Sequence, residues 1–308
     1  MFGNLFNRMP QPFDAGYLPE TDGHRVYYYQ YGNPVGIPVL SFHGGPGGSS
    51  RPKYAKLFDL KKYRFLQFDQ RGCGLSQAKD LLYRNDTAHL LQDAMHLLAH
   101  LHIDTPIIVH GVSWGSTMAL LFAEAYPKTV RQIVVSSVFL ARTEDYMWVN
   151  ADSERFYPDL WEQMRDVYKH KDFFKTYRHL LFSANEADNL LALTYWRCYD
   201  HKLGQLEPSF EKMSEVDEAD LNSARVAFHY DENKYFLHDN QILRNCDKIA
   251  HIPTIIVHNR MDFCCTPKQA WDLHKALPKS QLQLMGGCGH SDPALLKMVK
   301  KMVRRNEK

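Results

Sequence analysis

The chain has 308 residues, 44% apolar and 23% charged, with a formal net charge of +2. That is enough apolar material for a large core in one α/β domain, and too little charge for a general attraction to nucleic acid. No stretch approaches the ~20 apolar residues that span a bilayer, and six scattered cysteines without a CxxC or Cys/His ligand spacing predict neither a disulfide framework nor a zinc site.

The N-terminus, MFGNLFNRMPQPFDAG, has no apolar run long enough for a signal peptide, so a reduced cytoplasmic protein is expected. The first predicted strand covers 39–42 and runs into His43-Gly44-Gly45-Pro46-Gly47-Gly48. Such a loop can cradle phosphate or supply a backbone N–H to an oxyanion. No Lys-Ser/Thr follows the glycines, which disfavours a P-loop. A second strand at 65–68 leads to Asp69-Gln70-Arg71-Gly72-Cys73-Gly74, read as a structural turn bordering the site, with Cys73 as a small buried thiol. Over 87–101, Leu90, Leu91, Ala94, Leu97, Leu98 and Leu101 form one stripe at helical spacing.

A strand at 107–110 then meets Gly111-Val112-Ser113-Trp114-Gly115, which opens a helix over 114–125. A nucleophile elbow requires this strand–turn–helix context. Another strand at 133–136 is followed by Phe139, a candidate pocket wall. From about 140 to 245 the rhythm breaks: the segment is rich in Trp, Tyr, Phe and charge and has no convincing strand. It is predicted to be a helical cap inserted between the core segments 1–139 and 246–308. Helices over the carboxyl ends of a parallel sheet roof a substrate crevice.

The strand pattern returns at 254–258, which runs into Asn259-Arg260-Met261-Asp262. A helix over 268–277 follows, opened by Pro267. A last strand at 281–285 ends in Gly286-Gly287-Cys288-Gly289-His290. Cys264 and Cys265 follow Asp262 closely and show no metal logic. The terminal basic cluster of Lys297, Lys300, Lys301, Arg304, Arg305 and Lys308 alternates with Leu296, Met298, Val299, Met302 and Val303, as on an amphipathic helix with a wet charged face. Strands alternating with helices predict a mostly parallel sheet covered on both faces.

A serine hydroxyl needs a neighbouring base, and the base needs a group that fixes its tautomer. In an α/β hydrolase the triad runs Ser, acid, His along the chain. Ser113, Asp262 and His290 meet that order, each just past a predicted strand. Trp114 and Gly45 are the expected oxyanion N–H donors. No metal or organic cofactor is expected. The partner is a small peptide, ester or amide, and the sequence does not define an oligomeric state.

With these motifs in hand, the sequence resembles the proline iminopeptidase family of α/β-hydrolase serine peptidases. The resemblance rests on HGGPG at 43–47, DQRGCGLS at 69–76, GVSWGST at 111–117, and the NRMD and GHS segments near the C-terminus. It extends into the insertion through Phe156-Tyr157-Pro158-Asp159, Ala224-Arg225 and His229-Tyr230. It implies a cytoplasmic exopeptidase that removes an N-terminal proline or another residue. In such enzymes cap carboxylates bind the substrate ammonium and aromatics enclose the first side chain. Here the expected cap glutamates correspond to Asp200 and Ala227, and Asp231 stands where an aromatic is expected. Asp200, Asp231 and Phe139 are therefore the candidate substrate contacts. An esterase or small-amide hydrolase with the same triad stays open, as does a non-catalytic binding protein.

Overall fold

The structure, a computed structural model, describes residues 9–168, 173–194 and 215–306. Ten strands are present among them: β1 Asp14–Tyr17, β2 His24–Arg25, β3 Tyr27–Gly32, β4 Ile37–Phe42, β5 Tyr63–Phe68, β6 Gln77–Ala78, β7 Ile107–Val112, β8 Val130–Ser136, β9 Thr254–Met261 and β10 Ser280–Cys288. Eight form one sheet in the order β1-β3-β5-β4-β7-β8-β9-β10, and β2 and β6 make a small separate ribbon. From β5 to β10 every pairing is parallel, while β1 and β3 add an antiparallel edge. The parallel strands are near-continuous runs such as IIVHGV, all six residues buried, because helices cover both faces and leave no wet side to demand alternation.

Helix α1 (Thr87–His100) is capped by Asp86, whose carboxylate accepts from the His89 N–H, and buries the Leu90, Ala94, Leu97 and Leu98 stripe. Helix α2 (Trp114–Ala125) is buried along almost its whole length. These helices seal one face of the sheet, over Leu40, Phe42, Leu66 and Val109. The other face packs Val39, Phe65, Ile108, Val134 and Val257 against Leu295 and Val299. Those last two belong to the terminal helix Pro293–Arg305, whose basic residues line an open groove on its outer side. This helix keeps the amphipathic division expected of it.

Between β8 and β9 the described elements are helical. They include α3 (Thr143–Asn150), α4 (Pro158–Tyr168), α5 (Phe173–Leu181), a helical stretch at 186–194 and α6 (Glu218–Glu232). Leu160, Tyr177, Leu180, Leu181, Leu193, Leu221, Ala224 and Phe228 give them a hydrophobic cluster of their own. After β9 come α7 (Pro267–Ala276) and the terminal α8 (Pro293–Arg305). Among the described residues no helix is long and apolar enough to cross a membrane.

Candidate active site

Ser113 stands between β7 and α2 with φ 59° and ψ −129°, a backbone conformation that costs about 1–3 kcal/mol and persists only where surroundings enforce it. The enforcement is steric. A Cβ at Gly111 would lie 1.9 Å from the Gly115 carbonyl oxygen, and a Cβ at Gly115 would lie 2.2 Å from the Phe42 oxygen. Strand, turn and helix close on one another so tightly that only glycine fits on either side. The Ser113 N–H donates to the Ser136 carbonyl at 3.1 Å, and its own carbonyl accepts from Ser116 N–H at 2.7 Å and Oγ at 2.6 Å. The side chain is left at the N-terminus of α2, where the helix dipole favours developing negative charge.

Asp262 follows β9 and His290 follows the adjacent parallel strand β10. The imidazole Nδ1 lies 2.9 Å from Asp262 Oδ2 and 3.1 Å from Oδ1. Backbone N–H groups of Cys264 and Cys265 donate to Oδ1 at 3.0 and 2.9 Å, so the carboxylate is held from both sides. Burial by itself would raise the Asp262 pKa. The His290 charge and hydrogen bond, helped by His258 and the Cys265 N–H, outweigh that and hold it below the usual carboxylate range. The His290 backbone is anchored as well: Ser137 Oγ donates to the His290 carbonyl at 3.0 Å, and the Asn259 amide donates to the Gly289 carbonyl at 2.9 Å. Ser136, the last residue of β8, and Ser137 just past it thus hold Ser113 and His290 alike, the first through the Ser113 N–H and the second through the His290 carbonyl.

The loop at 43–48 faces Ser113, since a Cβ at Gly44 would sit 4.0 Å from Ser113 Oγ. Its shape is fixed by Gln70. The Gln70 N–H donates to His43 Nε2 at 3.0 Å, its amide donates to the His43 carbonyl at 3.1 Å, and its Oε1 accepts from Trp114 Nε1 at 2.9 Å. Burial lowers the pKa of His43, so the ring is neutral and Nε2 can accept while Nδ1 donates to Gly44 O at 2.8 Å. The DQRG turn is therefore the clamp that holds the glycine loop against Trp114, the residue after Ser113.

This geometry has relatives. The α/β-hydrolase fold family model matches residues 37–294. A proline iminopeptidase of Xylella fastidiosa is 38% identical over 288 residues, covering 91% of this chain and 91% of that one. Another, from Arabidopsis thaliana, is 37% identical over 289 residues, covering 91% of this chain and 76% of that one. The chain belongs to the proline iminopeptidase family of α/β hydrolases. The crystal structure of the Mycobacterium smegmatis proline iminopeptidase superposes with a TM-score of 0.65 at 16% identity, covering 96% and 99% of the two chains. An esterase from Rhodococcus gives 0.58 at 16% identity, covering 95% and 98%, which speaks for the fold alone.

Within this iminopeptidase fold the candidate substrate contacts fare differently. Phe139 is buried just past β8; its N–H donates to Ser116 Oγ at 3.0 Å, and its carbonyl accepts from Thr117 Oγ1 at 2.7 Å. Asp231 lies on α6, where Oδ1 accepts from Tyr235 Oη at 3.0 Å and from the Asn150 amide at 3.3 Å. Ala227 is half-buried on the same helix. Asp200 lies outside the described residues.

Two residues with evident work here escaped the sequence reading. Tyr235 is buried, with its ring centroid 5.1 Å from Phe139 and 5.8 Å from Trp114, and it bonds Asp231 as well. No motif contains it, and only its position just past α6 could have drawn notice. His258 is fully buried within β9. Its Nδ1 accepts from the Val138 N–H at 3.0 Å, its Nε2 donates to the Cys265 carbonyl at 2.8 Å, and it stands 3.6 Å from Asp262. It ties the acid loop to the end of β8. Its place inside a strand disguised it as a core residue.

Proposed function

We propose that the protein is an aminopeptidase that hydrolyses the amide bond after the first residue of short peptides through an acyl-enzyme on Ser113. His290, its tautomer fixed by Asp262, takes the Ser113 proton as the oxygen attacks the carbonyl carbon. In this reading the Gly45 and Trp114 N–H groups hold the tetrahedral oxyanion, because donors aimed at the atom where charge develops lower the barrier most. His290 then protonates the leaving amine, and a water activated by the same imidazole hydrolyses the ester. Residues 140–245 act as a cap over this chemistry, and a cytoplasmic setting suits it.

The observation that carries the exopeptidase reading is Asp231. A carboxylate set in the cap beside Tyr235, which itself packs on Phe139 and Trp114, supplies a negative charge for the substrate ammonium. Such a charge-assisted contact is worth about 1.5–3 kcal/mol. It takes over the part of the glutamate lost at Ala227, with Asp200 as its second carboxylate. Phe139 and Tyr235 enclose the first side chain. The substitution at Ala227 is what keeps a second reading alive, an esterase or amidase without an amine anchor.

Two measurements separate these readings. A fluorophosphonate should label wild-type protein and not Ser113→Ala; an unlabelled wild type would leave only a binding protein. Prolyl- and alanyl-anilides should be cleaved, with N-acetylation abolishing turnover. Equal rates on free and acetylated anilides, or a strong preference for a phenyl ester, would make the protein an esterase.

A further inference from the structure

The acid loop carries more than the acid. Cys264 and Cys265 hold Asp262 with their backbone N–H groups, and their side chains turn toward the base. Cys264 Sγ, Cys265 Sγ and an imidazole nitrogen of His290 all lie within 4.8 Å of one another. Among the described residues this is the one such trio of His, Cys, Asp or Glu donors. Cys265 is buried and Cys264 half-buried, and neither is in a disulfide. The sequence hid the trio because adjacent cysteines match no ligand spacing and the histidine arrives from the next strand.

Zinc binds thiolate at about 2.3 Å and imidazole at about 2.0–2.1 Å in a tetrahedron, which sets donors roughly 3.5–3.8 Å apart. Closing a trio that spans at most 4.8 Å to that spacing takes about 1 Å, within reach of side-chain rotation in two cysteines. Two sulfurs and one imidazole select soft or borderline ions over calcium and magnesium, which want oxygen. Three protein donors leave a fourth tetrahedral position for water.

We propose that Cys264, Cys265 and His290 form a binding site for a soft divalent cation, with zinc as the reference ion, and that its occupancy switches the enzyme off. Each thiol releases its proton to solvent as a zinc–sulfur bond forms, the imidazole gives the metal a lone pair, and no oxidation state changes. The inhibition follows from that lone pair. A ring that has given it to zinc cannot take the Ser113 proton, or else must abandon Asp262 to reach the metal. Chelation reverses the state. The switch rests on His290 being the base in the reading above, whereas the binding site does not.

The test therefore reads binding and catalysis separately. Zinc is titrated into reduced, metal-free wild type, in a phosphine reductant, against a chromophoric chelator. Uptake of one equivalent is expected. Cys264→Ser and His290→Ala should each weaken it by about 100-fold or more, since even outer partners of a metal site are worth 10- to 100-fold. Cys264→Ser/Cys265→Ser should abolish it, with unchanged circular dichroism in at least the single variants. In parallel, zinc should slow fluorophosphonate labelling of Ser113, a chelator should restore it, and calcium or magnesium should do nothing. No stoichiometric uptake, or uptake equal in the double-serine protein, would overturn the site. Tight uptake that leaves the labelling rate unchanged would overturn the switch. A metal-free wild type that resists labelling would instead sink the hydrolase reading while leaving the zinc result to stand on its own.

Discussion

As the proposed ammonium anchor, Asp231 serves two ends that oppose each other. Burial raises its pKa most, and Glu232 adds to this. The Tyr235 hydroxyl and the Asn150 amide pull the other way, and the balance stands at about 6 against an ordinary 3.8. In an unfolded chain the same carboxyl ionises near its ordinary value. The folded state is thus unpenalised below about pH 4, and loses stability as pH rises through about 6. Asp231→Asn keeps an oxygen for both donors and removes the buried charge. The variant is expected to melt above wild type at pH 7, with the difference vanishing by pH 4. Catalysis should move oppositely: KM for a free prolyl- or alanyl-anilide rises roughly 10- to 100-fold, the equivalent of 1.5–3 kcal/mol. In wild type, KM for the same substrates should climb as pH falls below about 6, when the carboxyl is protonated. Unchanged KM in the variant would remove Asp231 from the amine site.

One short element sets that residue's partner. After α6 the chain turns through Lys234, Tyr235 and Phe236 with φ of 49°, 57° and 55°, three successive left-handed residues without a glycine among them. Each costs about 1–2 kcal/mol relative to ordinary backbone. The turn survives because Tyr235 gains ring contacts with Trp114 and Phe139 and a bond to Asp231, and because Thr87 Oγ1 donates to its carbonyl at 2.6 Å. Lys234 is exposed, and the bond its carbonyl accepts from the Leu237 N–H at 3.2 Å is one that glycine would keep. Lys234→Gly is therefore expected to raise stability by about 0.5–1 kcal/mol in a urea titration, leaving anilide turnover unaltered. A loss of stability would mean that the left-handed geometry is not resisted by this side chain. Such an element is invisible to sequence reasoning, which finds positive φ through glycine or asparagine. The elements that could be read were those whose chemistry announces itself. The stretches leading to Ser113 and Asp262 are Val/Ile-rich without clean alternation, the one leading to His290 is the mixed run QLQLM, and a glycine or polar turn ends each. Their order along the chain then matches the Ser, acid, His order expected of the fold. His258 shares that composition, so nothing in the sequence separates an organising imidazole from a packed one.

At the scale of the whole molecule, the site depends on parts that never approach it. The antiparallel edge of β1 and β3 was not foreseen, because YYYQYG offers aromatic and polar residues where the central strands offer Val and Ile. That edge reaches the site through the DQRG turn. Asp69 accepts from Tyr29 Oη on β3 at 3.0 Å, and from the Ser50 and Leu75 N–H groups at 2.7 and 2.9 Å. Beside it, the fully buried Arg71 guanidinium makes a bidentate pair with Asp93 of α1 at 2.7 and 2.8 Å, and also reaches Asp22 and the Arg84 carbonyl. Arg71 thus fastens helix, N-terminal extension and clamp loop at one point. A buried ion pair is weak evidence for net stability, since an apolar replacement of both partners can do as well. Breaking it from one side is another matter, because Asp93 would be left charged and dry. Arg71→Met is expected to cost about 3–5 kcal/mol, and 1 M salt should barely change that figure, because ions do not screen a pair enclosed by protein. Arg71→Met/Asp93→Leu should recover much of the loss. If the single variant unfolds at nearly the wild-type urea midpoint, the clamp is held by Gln70 and Asp69 alone, and the coupling of α1 to the glycine loop through this arginine is wrong.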